Sequence, residues 1–345
     1  PTTPEKVREF PAGGRMWVQD RGGPVKAAVY YETGGPEVFR YEDVPDPEVL
    51  ADHVLVKVEA VSIEGGDTLG RAGGDLWAVP HIVGYQCAGT IVAAGPQVTA
   101  LAVGDRVVTV GIDGSHAELR AVPEGFCWKV PPGLDIEEAA CIPVAYGTAH
   151  DCLFEFGRLE AGQSVLVQAG SSGVGIAAIQ MAKHAGARVL ATASQDEKLD
   201  RLKDFGLDDG INYVTADMVS EVRRLTGGLG VNLVLESVGG ANLQASLNCL
   251  AYRGHCVSIG DAGRAPTLID TSMMRPNNLT LTGFFLGMEL LMSPRARQTI
   301  ASILDDLAAG RIRVVVDRKY PLAEAANAHA YIESRQAFGR VLLIP

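Results

Sequence analysis

The chain has 345 residues, 47% of them hydrophobic and 21% charged, with a formal net charge of −11. That length suits one large or two medium domains of ordinary globular composition. The acidic balance argues against a nucleic-acid partner, because the basic residues are scattered and cluster only at Arg223–Arg224 and from Arg311 to Arg318.

No apolar run approaches the ~18 residues needed to cross a bilayer, so no membrane partner is expected. Residues 1–24 are polar, rich in Pro and Gly, and lack an apolar stretch; they read as an N-terminal extension rather than a secretory signal. The region 25–141 alternates short β-rich runs with Gly and Pro: Lys26–Tyr31, His53–Val61, Gly89–Ala94, Arg106–Val110 and Ala117–Val122. From 142 to 287 strands alternate with helices. The strands expected there are Ser164–Gln168, Arg188–Ala193, Gly210–Tyr213, Leu233–Glu236, His255–Ile259 and Leu279–Phe285. This pattern predicts an α/β fold with a doubly wound parallel sheet. A helix over Pro294–Ala309 and a tail of β character from Ile312 to Pro345 are expected to return to the first domain, so 288–345 joins 25–141. The six cysteines, at 87, 127, 141, 152, 249 and 256, form no Cys-x-x-Cys pair. Free thiols in a reducing compartment, with the cytoplasm as default, are expected.

The most informative segment is Val165-Leu-Val-Gln-Ala-Gly-Ser-Ser-Gly-Val-Gly175, followed by an apolar helix over Val174–Ala182. A strand enters a small-residue turn that opens a helix, so unpaired backbone N–H groups and the helix dipole face whatever binds there. Gly170, Ser172 and Gly175 occupy the places of a Gly-x-Gly-x-x-Gly fingerprint. Gly170, Ser171, Ser172, Gly173, Val174 and Gly175 are therefore the candidate pyrophosphate cradle. NAD-binding folds carry an acid about 20 residues further on. Ala193 stands there instead, with Ser194 and Lys198 following, which favours NADPH. Ser194-Gln-Asp-Glu197 also reads as a helix-capping box, and the two readings are compatible.

Five segments stand in a fixed order: Val25-Lys-Ala-Ala-Val-Tyr-Tyr-Glu-Thr-Gly-Gly-Pro-Glu-Val-Phe39, Val44-Pro-Asp-Pro47, Gly104-Asp-Arg-Val107, Ala169 to Gly175, and Gly339-Arg-Val-Leu-Leu-Ile-Pro345. In these the chain resembles the quinone oxidoreductases of the medium-chain dehydrogenase/reductase superfamily. The resemblance implies a GroES-like catalytic domain, split in sequence around a Rossmann domain at 142–287, with NADPH between them. It implies cofactor roles for Thr148, Lys198, Tyr213, Val238, Gly260, Phe284, Phe285 and Arg340. It also implies a homodimer joined along Leu279 to Phe285. The zinc alcohol dehydrogenases share this fold, but Glu64, Tyr85 and Ala140 stand at the zinc-ligand positions, and Gly84-Tyr-Gln86 replaces Gly-His-Glu. No metal is expected.

Without a Lewis acid, reduction of a simple ketone is disfavoured. Hydride transfer to a quinone or to an activated, α,β-unsaturated double bond remains open, because its negative charge is delocalised. In Ser62-Ile-Glu64-Gly-Gly-Asp67-Thr-Leu69, Glu64 replaces an Asn common in the family, and Leu69 a Tyr. Glu64, Asp67 and Tyr85 are the candidate catalytic residues. Against this stand a solvent-exposed or Arg71-paired carboxylate, and a packed tyrosine. An enoyl-thioester reductase and a non-catalytic NADPH-binding protein are the alternative readings.

Overall fold

The computed structural model describes residues 24–345, together with the backbone of a short antiparallel pair, Arg8–Glu9 with Arg15–Met16. The rest of the expected N-terminal extension lies outside the described residues. The chain divides into two compact units, one of residues 1–144 with 293–345 and one of residues 145–292.

The first unit is organised by the strand His53–Ser62, buried along most of its length. It pairs antiparallel with Gln86–Ala94, Leu119–Pro123 and Arg340–Ile344. Gly89 is required where two of these strands close in. A Cβ on it would stand 1.9 Å from the Lys57 carbonyl oxygen, beside a break in register. The tail does rejoin this sheet, with Leu342 opposite Ser62 and Leu343 opposite Val61. It is not β throughout, because the helix Ala325–Glu333 separates Val316–Pro321 from Arg340–Ile344. The reason is visible in the spacing: Ala325, Ala328 and His329 are its buried residues, a helical three-and-four interval.

A second unforeseen helix covers Gly65–Gly73. Its several glycines are poor helix formers. Asp67 offsets this by accepting the Glu64 backbone N–H at 2.8 Å, and the helix buries Asp67, Thr68 and Arg71.

The second unit holds a six-stranded, all-parallel sheet. Its spatial order is Asp209–Asn212, Arg188–Ala193, Ser164–Val167, Val231–Glu236, Leu250–Ser258 and Thr280–Gly283. Numbered along the chain this is 3-2-1-4-5-6, the doubly wound arrangement. Leu166, Leu190, Val234 and Cys256 are central residues of the core, which extends to Leu247 and Val222 on the helices Ala241–Asn248 and Met218–Leu225. Several boundaries differ from the sequence expectation. Leu250–Ser258 begins five residues before His255, and the last strand ends at Gly283, short of Phe284 and Phe285. The capping box at Ser194 does not form. The chain stays extended through Gln195 (φ −145°, ψ 141°), so the helix begins at Asp196 without a side-chain cap.

Candidate active site

The nucleotide-loop residues lie in one turn between a strand and a helix. Ser164–Val167 ends in a turn, and the helix Gly173–His184 starts at its far side. Ser172 is the N-cap, its Oγ accepting the Gly175 N–H at 3.0 Å. Ala169 sits in the left-handed region at φ 49°, which folds the chain back under the helix. A Cβ on Gly175 would lie 2.5 Å from the Ala169 oxygen and 2.6 Å from the Gly170 oxygen. Gly175 thus lets the helix start pack directly against the turn, the close helix–strand approach that a dinucleotide fingerprint uses its third glycine for.

The other second-unit candidates follow strand ends on the same side of the sheet, apart from Thr148. Ser194 follows Arg188–Ala193, Tyr213 follows Asp209–Asn212, Val238 follows Val231–Glu236, Gly260 follows Leu250–Ser258, and Phe284 and Phe285 follow Thr280–Gly283. Ala193 is buried and presents no carboxylate at the end of its strand. Tyr213 is 45% exposed and accessible, whereas Lys198 is buried on the same helix as Leu199 and Leu202. Phe284 is buried, with its ring centroid 5.1 Å from that of Phe156, while Phe285 is exposed. Thr148 is buried in the helix Pro143–His150.

Sequence reasoning missed Glu236 here. Fully buried, it accepts the Val238 N–H at 2.9 Å, the Gly239 N–H at 3.0 Å and the Asn242 amide at 3.3 Å. It holds the turn that carries Val238, and an acid at a strand end just before Ser-Val-Gly-Gly was the available signal.

In the first unit, Glu64, Asp67, Tyr85 and Arg340 gather at the end of His53–Ser62. Arg340, expected on the cofactor, instead belongs to this cluster, because the register of Arg340–Ile344 brings its side chain back to Ser62. Its guanidinium donates to Ser62 Oγ (2.7 and 2.9 Å), to the Ile63 carbonyl (2.7 Å) and to both oxygens of Glu64. Glu64 is therefore neither solvent-exposed nor paired with Arg71. Arg71 pairs with Glu333 and the Gly34 carbonyl. Burial raises the Glu64 carboxyl, with Arg340 pulling against it. The two-pronged contact makes the ion pair the resident state, and Glu64 in turn keeps Arg340 protonated.

Asp67 is completely buried, its carboxylate accepting the backbone N–H groups of Glu64 (2.8 Å) and Tyr85 (3.2 Å). Burial raises it to about 7, against the pull of those N–H groups and with the Glu64 charge adding. The folded value lies above the usual 3.8, so folding favours the neutral acid. The stability this gives is full at pH below 4 and is lost as pH rises through 7. Asp67→Asn is neutral throughout, so its melting temperature relative to wild type should improve between pH 4 and pH 8. Thermal unfolding across that range checks this, and a pH-independent difference contradicts it.

Tyr85 is half-buried. Burial, with the nearby carboxylates of Asp67 and Glu64, raises its hydroxyl above 10, so it stays protonated as a donor. A Cβ on Gly66 would meet its ring and hydroxyl at 2.4 to 2.9 Å, so the absent side chain there is what admits the tyrosine.

These residues do not fit a zinc ion. Among the described residues no group of three or more His, Cys, Asp or Glu is placed to hold a metal. Glu64 is spent on Arg340. Cys141 donates its thiol to the Glu137 carbonyl at 3.2 Å, and burial pushes it up to about 11.

Comparison with known proteins matches two family models to two parts of the chain. Residues 50–132 match the alcohol dehydrogenase GroES-like domain, and residues 173–305 match the family described as zinc-binding dehydrogenase. The class is thus the two-part dehydrogenases, a GroES-like domain beside a dinucleotide-binding one. The chain is 32% identical to 2-haloacrylate reductase of a Burkholderia species over 335 residues, 93% of this chain and 99% of that protein. It is 32% identical to quinone oxidoreductase of Pseudomonas aeruginosa over 318 residues, 90% of this chain and 97% of that one. The crystal structure of Escherichia coli quinone oxidoreductase complexed with NADPH superposes with a TM-score of 0.87 at 29% identity, covering 93% of this chain and 100% of that one. The chain belongs to the quinone oxidoreductase family of the medium-chain dehydrogenase/reductase superfamily.

Proposed function

We propose that this protein is an NADPH-dependent oxidoreductase that reduces quinones or activated, α,β-unsaturated carbonyl double bonds without a metal. The observation that carries the reading is the strand–turn–helix at Gly170–Gly175, whose glycines at 170 and 175 have no room for a Cβ, beside a neighbouring strand that ends without a carboxylate. An acid there would accept the ribose 2'-hydroxyl of NADH and repel a 2'-phosphate. The relatives named for a quinone and for a haloacrylate support the substrate class, and the NADPH complex supports the coenzyme.

In this reading the backbone N–H groups of Ser171, Gly173 and Val174 hold the pyrophosphate, while that of Ser172 closes the turn onto the Ala169 carbonyl. Ser194 and Tyr213 flank the 2'-phosphate. Lys198 adds positive charge from the helix behind them. Thr148, Val238, Gly260, Phe284 and Phe285 line the nicotinamide, and Glu236 fixes the Val238 turn. Bound NADPH supplies the hydride. Tyr85 donates a hydrogen bond to the substrate oxygen, where negative charge gathers. Asp67 and Glu64 act on Tyr85 and its strand from behind, since their oxygens are committed to internal donors. Among the described residues the edge strand Thr280–Gly283 has one unpaired side to offer a second copy, and a homodimer is the assembly we propose. No helix among the described residues is long and apolar enough to cross a membrane, and the cytoplasm is the proposed location.

The test is coenzyme consumption with a benzoquinone, an enone and a crotonyl thioester. Turnover of quinone or enone is expected with NADPH, at kcat/KM at least about tenfold above that with NADH. Thioester turnover alone transfers the assignment to an enoyl-thioester reductase. NADPH binding without any turnover makes the protein a binder.

A further inference from the structure

A line of buried polar contacts in the first unit leads from the last strand to the helix Pro143–His150. Arg340 holds both oxygens of Glu64. Glu64 Oε1 also accepts the side-chain amide of Gln86, which is completely buried. Gln86 Oε1 accepts the Val144 backbone N–H at 2.9 Å. Val144 is the second residue of its helix, where a backbone N–H has no partner within the helix. Without Gln86 that donor is left to find another acceptor.

The line has a fixed direction. A carboxylate only accepts and a backbone N–H only donates, so the Gln86 amide has one allowed orientation. The charge on Glu64 selects it, and Arg340 keeps that charge in place. Thr148 stands four residues, about one helical turn, beyond Val144 and on the same face.

We propose that Gln86, oriented by the Arg340–Glu64 pair, is a positioning residue for cofactor binding: the three side chains fix the first turn of Pro143–His150 and with it Thr148. This rests on the reading of Thr148 as a nicotinamide-side residue given above. It also separates the roles of two acids that are close in sequence, since it makes Glu64 the orienting charge of a relay and not a proton donor.

An exchange of acid and amide tests it. Glu64→Gln leaves Arg340 buried without its counter-charge. Gln86→Glu sets two carboxylates face to face. In the double variant the amide at 64 accepts from Arg340 and donates to the carboxylate at 86, which accepts from Val144, so the direction of the line is restored with its charge. Each single variant should weaken NADPH binding, followed by nicotinamide fluorescence, at least about tenfold, and the double variant should return to within about threefold of wild type. Hydrogen exchange at the Val144 amide, measured without coenzyme, should quicken at least about tenfold in the singles and slow again in the double.

Single variants that fail to fold beside a double that folds and binds NADPH also support the relay. It is overturned if the singles bind NADPH like wild type and lose only melting temperature. It is overturned too if the double is no better than the worse single, or if all three fail to fold. Wild-type protein that does not bind NADPH overturns the proposed function instead, and the exchange measurement then still decides whether the relay anchors the helix.

Discussion

Arg340→Met is expected to cost about 3–5 kcal/mol of folding stability, the usual consequence of removing one partner of a buried ion pair. Methionine keeps most of the length and apolar volume, so the loss is electrostatic. Glu64, only 5% exposed, would remain with a charge that Gln86 alone cannot compensate. The variant also has a characteristic pH dependence. With Arg340 gone, burial holds the Glu64 carboxyl above its unfolded value, and only the Gln86 amide pulls against it. The neutral form is then the one that folds well. Stability should be recovered as pH falls and lost as it rises, so the deficit at pH 8 exceeds that at pH 5. Chemical denaturation at the two pH values measures it. A loss under about 1 kcal/mol at both contradicts the ion-pair assignment. Adding Glu64→Leu to Arg340→Met should recover much of the stability, because removal of both charges leaves no unpaired group.

Gly175→Ala should weaken NADPH binding by about 10–100-fold, which corresponds to roughly 1–3 kcal/mol of overpacking and displacement. The methyl would meet two backbone oxygens, those of Ala169 and Gly170, not a flexible side-chain end. One wall of the cradle must therefore move. Because the turn is also anchored by the Thr192 hydroxyl at Ala169 N (3.2 Å) and the Thr192 carbonyl at Gly170 N (2.8 Å), it cannot yield freely. Titration with NADPH measures the loss, and unaltered affinity would place the coenzyme elsewhere.

The parallel sheet was readable from the sequence because its three central strands are short, mainly apolar runs closed by small or polar residues. The loop at Gly170–Gly175 announces itself within eleven consecutive residues. The first-unit cluster could not be read in this way. Arg340 and Glu64 are 276 positions apart, and only the register of one antiparallel pair joins them. Gln86 lay inside a segment already weighed for zinc, yet its partners at 64 and 144 follow from tertiary packing alone. The helix Gly65–Gly73 was hidden by its own glycines, and its capping carboxylate looked like a catalytic one. At Ser194 the local signal was present and tertiary structure overrode it: one more extended residue moved the helix start past the serine.

The strand Arg340–Ile344 is an interior member of its sheet, flanked by Val316–Pro321 and His53–Ser62. On a ribosome that strand emerges only after the entire second unit has been made. The second unit, continuous in sequence, has every strand it needs while the first still lacks a central one. Vectorial synthesis should therefore mature the second unit first, leaving the first to await the strand Arg340–Ile344. Translation halted near residue 335 should release chains in which only residues 145–292 resist proteolysis.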